Sequence, residues 1–119
     1  MNIQGSRLEQ LVDETDPQCA GEVVEMFIAE FPSQLEKLQR AHVQRNINEF
    51  VHYAHTLKGS AQMIGLDQLG GMFLEMEVKG KKGSFEGAES LLAVVPELFV
   101  EAKEGLTDFI DSLLIPHAA

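Results

Sequence analysis

Cysteine occurs once in this chain, at Cys19, which excludes an internal disulfide and fits a reducing compartment. Cys19 itself reads as a small, partly buried filler. No apolar run approaches the roughly 18 residues that a membrane span needs, and the N-terminus has no basic-then-apolar signal pattern, so a soluble cytoplasmic protein is expected. Basic residues are scarce: 9 Lys and Arg stand against 19 Asp and Glu, a formal net charge of −10. That surplus repels phosphate backbones, so nucleic acid is not an expected partner. No phosphate-cradling Gly-x-x-x-x-Gly-Lys-[Ser/Thr] loop is present, nor any acidic constellation suited to Mg²⁺. Strand-like alternation, repeats and low-complexity tracts are missing as well. The 119 residues are expected to form one helical domain, long enough for a real core.

Amphipathic helices account for nearly all of the chain. Ser6 with Glu9 reads as a capping box for a short helix carrying Leu8, Leu11 and Val12. Asp16-Pro17 starts the next, with Val23, Val24, Phe27, Ile28, Phe31, Leu35 and Leu38 at helical spacing and a kink expected at Pro32. Asn46 with Glu49 opens a third helix and Gly65 closes it. Asp67 begins a helix with Leu69, Met72, Phe73 and Met76 on one face, ending near Gly80. Gly80-Lys81-Lys82-Gly83 reads as a mobile connection. Ser84 is expected to open the last helix, whose stripe runs through Phe85, Ala88, Leu92, Val95, Phe99, Ala102, Leu106, Phe109 and Leu113, with a bend at Pro96. Short connections between such helices favour antiparallel neighbours. An all-α, up-down-up-down four-helix bundle with a short extra N-terminal helix across one end follows, as a monomer.

The helix after Asn46 holds the candidate chemistry. At 100° per residue, Ile47, Phe50, Ala54, Leu57, Ala61 and Ile64 gather into one apolar stripe. His55 points about 130° from its middle, sharing an exposed face with Asn48, Val51, His52, Lys58, Gly59 and Gln62. Lys58, at i+3, is placed to support an anionic group on or near the ring, and Gln62, at i+7, adds a donor and acceptor. Gly59 is out of character, since a mid-helix glycine costs roughly 1 kcal/mol relative to alanine. Its bare backbone gives a large partner clearance to reach the imidazole; close packing against a neighbouring helix is the competing reason. Val51, His52, Gly59 and Met63 are the candidate docking residues.

His55-x-Leu57-Lys58-Gly59-Ser60-Ala61-x-x-x-Gly65 resembles the signature of histidine-containing phosphotransfer (HPt) domains, four-helix-bundle relays of multistep two-component signalling. The likeness extends to Phe27 through Leu38, similar to the family's preceding helix, and to Leu66 through Glu75, with Leu74-Glu75 in the expected place. The resemblance implies that His55 accepts a phosphoryl group from a receiver-domain aspartate and passes it to another receiver. It also implies partners that are response-regulator or hybrid-kinase receivers and that carry the Mg²⁺ and the acidic pocket. This chain then needs no cofactor and is a phosphocarrier without ATP-dependent kinase activity of its own.

Other readings of these residues are weaker. A histidine attacking phosphorus needs a neutral ring nitrogen, which histidine's ordinary pKa of roughly 6.5 supplies near neutral pH, so no base is required. Ser60 lies about 140° from His55 and reads as a packing residue, and no third group is evident to orient the ring. Zinc shared by His52 and His55 lacks further ligands, because only Asn48 and Gln62 join them on that face. His42 and His117 look incidental, and Met26, Met63, Met72 and Met76 read as core filler, Met63 reaching the rim of the docking face. Lys79, Lys81 and Lys82 form a basic cluster, and Arg40 and Arg45 flank the preceding turn. These bases are able to meet acidic partners; the plainer reading of the lysines is helix-end charge complementarity and solubility. The alternative function is a helical interaction module that binds a receiver or another protein without carrying phosphate.

Overall fold

A computed structural model describes the backbone of residues 17–114 and the side chains of residues 21–112. The expected N-terminal helix, the Asp16 cap, the side chains of Cys19 and Leu113, and His117 lie outside the described residues. Four helices follow one another: α1 (Pro17–Val43), α2 (Ile47–Met63), α3 (Asp67–Lys81) and α4 (Ala88–Leu114). No strand occurs among the described residues. α2 packs against both α1 and α3, and α4 against both α1 and α3, closing a four-helix bundle.

The three-residue turns work because each helix end meets its own backbone demand. At the end of α1, the Asn46 and Arg45 amides donate to the Ala41 and His42 carbonyls, with Arg45 in the left-handed region at φ 56°. The Leu66 and Gly65 amides close α2 in the same way on Ala61 and Gln62, with Gly65 at φ 83°. Each is a Schellman closure, in which a left-handed residue lets the chain turn back and satisfies carbonyls the helix leaves open. Asn46 then serves twice, its side chain accepting from the Glu49 amide at 3.2 Å to start α2.

Two expectations in the third connection are corrected. Gly80 and Lys81 are helical, and the segment forms a third hydrogen-bonded closure: Ser84 and Gly83 amides donate to the Lys79 and Gly80 carbonyls. The last helix begins at Ala88, not Ser84. Ser84 Oγ accepts from the Glu86 amide in a local turn, and Gly87 at φ 78° holds the chain out of helical geometry until Ala88. Phe85 remains outside the helix, edge-on to Phe50 with the Arg45 guanidinium 5.1 Å from its ring centre.

The core matches the apolar periodicity closely. Val24, Phe27, Phe31, Leu35 and Leu38 of α1 meet Phe50, Ala54, Leu57 and Ala61 of α2, with Leu69, Phe73 and Met76 of α3 and Leu92, Val95, Ala102 and Leu106 of α4. Phe31 is the hub, stacked on Phe99 at 4.2 Å and tilted against Phe27 and Phe73. Pro32 and Pro96 sit within continuous helices on exposed sides.

Gly70 and Gly80 of α3 face α2, and both are spaces rather than turns. A Cβ on Gly80 would stand 2.7 Å from Val51 Cγ2 and 3.2 Å from a Phe50 ring carbon. Both neighbours are stiff and Phe50 is fully buried, so Gly80→Ala is expected to force α2 and α3 apart and destabilise the bundle by roughly 1–3 kcal/mol in urea melts. An unchanged midpoint would show that the interface has slack.

Candidate functional site

His55 stands on the outward side of α2, with 64% of its side chain exposed. Its Nδ1 lies 2.8 Å from Oε2 of Glu77, a residue on the α2-facing side of α3. Glu77 is the single charged or polar residue buried among those described, with 3% of its side chain exposed. Two ammonium groups share it: Lys58 Nζ is 2.8 Å from Oε1, and Lys81 Nζ is 3.1 Å from Oε2. The Lys58 contact is an ion pair of oblique approach, leaving Oε1 without a well-directed hydrogen bond.

This cluster corrects the sequence reading in three respects. A third group does orient the ring, and it is Glu77. Lys58 is not a free surface lysine: 19% of its side chain is exposed, and it is folded against the same carboxylate. Lys81, read from sequence as a helix-end charge, belongs to the cluster too, whereas Lys79 reaches Glu75 at a looser 3.8 Å. A signal for Glu77 existed in the spacing. Gly70, Phe73, Glu77 and Gly80 recur three and four apart, so the acidic residue sits on the face whose glycines admit α2.

Electrostatics fix the protonation of Glu77. Burial pushes the Glu77 carboxyl up, but the Lys58 and Lys81 ammonium groups and the His55 hydrogen bond outweigh it and lower its pKa from 4.5 to about 2. At neutral pH the group is therefore a carboxylate, which can only accept. Nδ1 must donate to it, so in the neutral ring Nε2 keeps its lone pair. The arrangement supplies a nucleophilic nitrogen of defined orientation with cations beside it.

The remaining candidates divide by position. Gly59 is exposed, and a Cβ built there meets nothing within 4 Å, so close packing does not explain this glycine. His52 is exposed, edge-on to Tyr53. Met63 is exposed beside half-buried Ser60, and the two line a shallow groove with Val23, Met26, Phe27 and Glu30 of α1. Val51 is half-buried against Gly80, and Gln62 lies over Gly70, where its Cγ would be 2.8 Å from a Cβ. Both lean toward α3 rather than standing free. Among the described residues, no group of three or more His, Cys, Asp or Glu side chains is arranged to hold a metal ion. No helix among them is long and apolar enough to cross a membrane.

A family model, that of the Hpt domain, matches residues 22–113. The match contains α2 and α3, nearly all of α1 and α4, and every residue of the cluster. No curated protein and no solved structure matches the chain.

The depressed pKa of Glu77 gives the fold a pH signature. A carboxyl that titrates near 2 when folded and near 4.5 when unfolded stabilises the folded state fully above pH 4.5 and progressively less as pH falls toward 2. Glu77→Gln is expected to lose roughly 1–3 kcal/mol at pH 7, as its cations lose their acceptor, and to flatten the stability slope between pH 4.5 and 2. Urea melts across that range test it; parallel slopes for both proteins would contradict the assignment.

Proposed function

The chain belongs to the Hpt domain family, whose members carry out histidine phosphotransfer in phosphorelays and interact with receiver domains, and we propose that His55 is the residue that carries the phosphoryl group here. It takes that group from the aspartyl phosphate of one receiver and yields it to the aspartate of another. The observation that carries this reading is an exposed imidazole whose Nδ1 is held on a buried carboxylate, leaving Nε2 toward solvent.

The step is a displacement at phosphorus. The Nε2 lone pair forms the N–P bond as the P–O bond to the aspartyl carboxylate breaks, and that carboxylate leaves as an anion. Nδ1 keeps its proton on Glu77 throughout, so the charge gained by the ring is met by a fixed counter-charge. Transfer to the second receiver is the reverse displacement. Positioning and charge neutralisation dominate phosphoryl transfer. Lys58 supplies charge from this side, Gln62 borders the site, and the receiver supplies Mg²⁺; no cofactor is assigned to this chain.

Access fits the same reading. Gly59, one turn beyond His55, leaves the helix backbone open, and the Met26 and Met63 side chains give an apolar margin on the α1 side. His52 lies one turn before, so a receiver settling over His55 meets His52, Gly59 and Met63, with Val51 at the α3 edge.

Two measurements test the proposal. His55→Gln is expected to abolish acid-labile labelling from phosphorylated receivers while keeping helical circular dichroism and losing no more than about 3 kcal/mol, the upper value of one hydrogen bond to a charged group. Label retained in that variant would sink the assignment, and absence of label in the wild-type protein across a receiver panel would favour the interaction module. Gly59→Ala should raise stability by up to roughly 1 kcal/mol, because its side chain meets open space. Transfer should fall from Gly to Ala to Gln at position 59. Equal transfer rates across the series would remove the docking role.

A further inference from the structure

We propose that Lys81 is the cation that binds the phosphoryl group directly, leaving Glu77 for the phosphoryl oxygens when His55 is phosphorylated, while Lys58 stays on Glu77; this rests on His55 being the carrier. Charge accounting within the cluster motivates it. One carboxylate faces two ammonium groups, so the site carries a surplus positive charge even with a neutral imidazole, in a chain whose formal net charge is −10. Neutralising Glu77 requires one of those ammoniums. Lys58 is the one committed to it, with its side chain largely covered and its Nζ at 2.8 Å.

Lys81 is differently placed. Its side chain is 64% exposed, and its Nζ contacts Oε2, the oxygen that also receives Nδ1 of His55. Ammonium and imidazole thus meet on a single oxygen. The covered carboxylate blocks movement inward, but outward the four-carbon stem of Lys81 is free to turn about its terminal torsions toward Nε2. A phosphoryl group on Nε2 brings up to two negative charges to solvent beside that ammonium. The dianion outcompetes a carboxylate oxygen already satisfied by Nδ1, and Glu77 retains Lys58 and His55 when Lys81 departs. Helix-end complementarity alone explains neither the shared oxygen nor the surplus charge, since Lys79 sits in the same last turn and pairs at 3.8 Å with an exposed glutamate.

The test uses phosphoramidate, a small donor that phosphorylates histidine without any receiver, on the full chain and on Lys81→Ala, Lys81→Arg, Lys82→Ala and His55→Gln. Lys81→Ala is expected to shorten the phosphohistidine lifetime, or slow its formation, by about two- to fivefold, the size of a partly exposed charge contact. Its ³¹P resonance should titrate at higher pH than in the wild type, because a lost cation favours the protonated phosphoryl group. Lys81→Arg should restore both, and Lys82→Ala should leave both at the wild-type value. A structural role for Lys81 would not move the ³¹P titration. If Lys81→Ala matches the wild type in lifetime, rate and ³¹P titration while His55 is still labelled, the Lys81 role is refuted and the carrier reading stands. If His55→Gln takes label as fully as the wild type, the carrier reading fails and the Lys81 role falls with it.

Discussion

A single buried carboxylate organises this bundle. Leaving Glu77 charged between α2 and α3 would cost several kcal/mol if it stood alone, so the interface must deliver donors to fixed points around it. Lys58 and His55 arrive from α2, one turn apart, and Lys81 from the following turn of α3. Their arrival depends on the backbone approach that Gly70 and Gly80 permit. It depends equally on the Schellman closures at Gly65 and Gly83, which set where the two helices begin and end. The same carboxylate therefore enforces helix pairing and fixes the imidazole tautomer.

The site is chemically partial, and that is consistent with a relay. It offers an exposed imidazole of defined orientation with local positive charge beside it, and the groups proposed to complete the reaction belong to the partner. The chain as a whole is acidic, while the surplus at the cluster is positive. At physiological salt, charges separated by more than about 8 Å are largely screened. The average surface therefore repels an acidic partner weakly, and the cluster acts at contact. Orientation follows, because an acidic pocket is matched where the lysines are and nowhere that the average charge dominates.

Helical periodicity carried most of the fold, because core positions repeat within one element. The stripe through Phe50, Ala54, Leu57 and Ala61 is buried as its spacing requires, and that stripe placed His55 outward. Asn46 and Gly65 were legible because caps are local chemistry. Gly59 could be flagged as costly, but deciding between open space and close packing took a neighbouring helix. Glu77 escaped for the same reason: it pairs across 22 residues, and periodicity on α3 alone shows an acidic residue at the edge of an apolar face. For the same reason the sequence shows Lys58 as an exposed support for an anion at His55 and Lys81 as a helix-end charge, with their shared partner hidden. The start of α4 was misplaced because Ser84 has the chemistry of a cap, and its hydroxyl is spent instead on a local turn before Gly87.

Which nitrogen of the His55 ring is free to attack phosphorus is measured directly by ¹⁵N-resolved NMR. In the neutral ring the proton is expected on Nδ1, with Nε2 showing an unprotonated shift, and after phosphorylation ³¹P coupling should appear at Nε2. A proton resident on Nε2 in the unphosphorylated protein, or a phosphoryl group on Nδ1, would contradict the account.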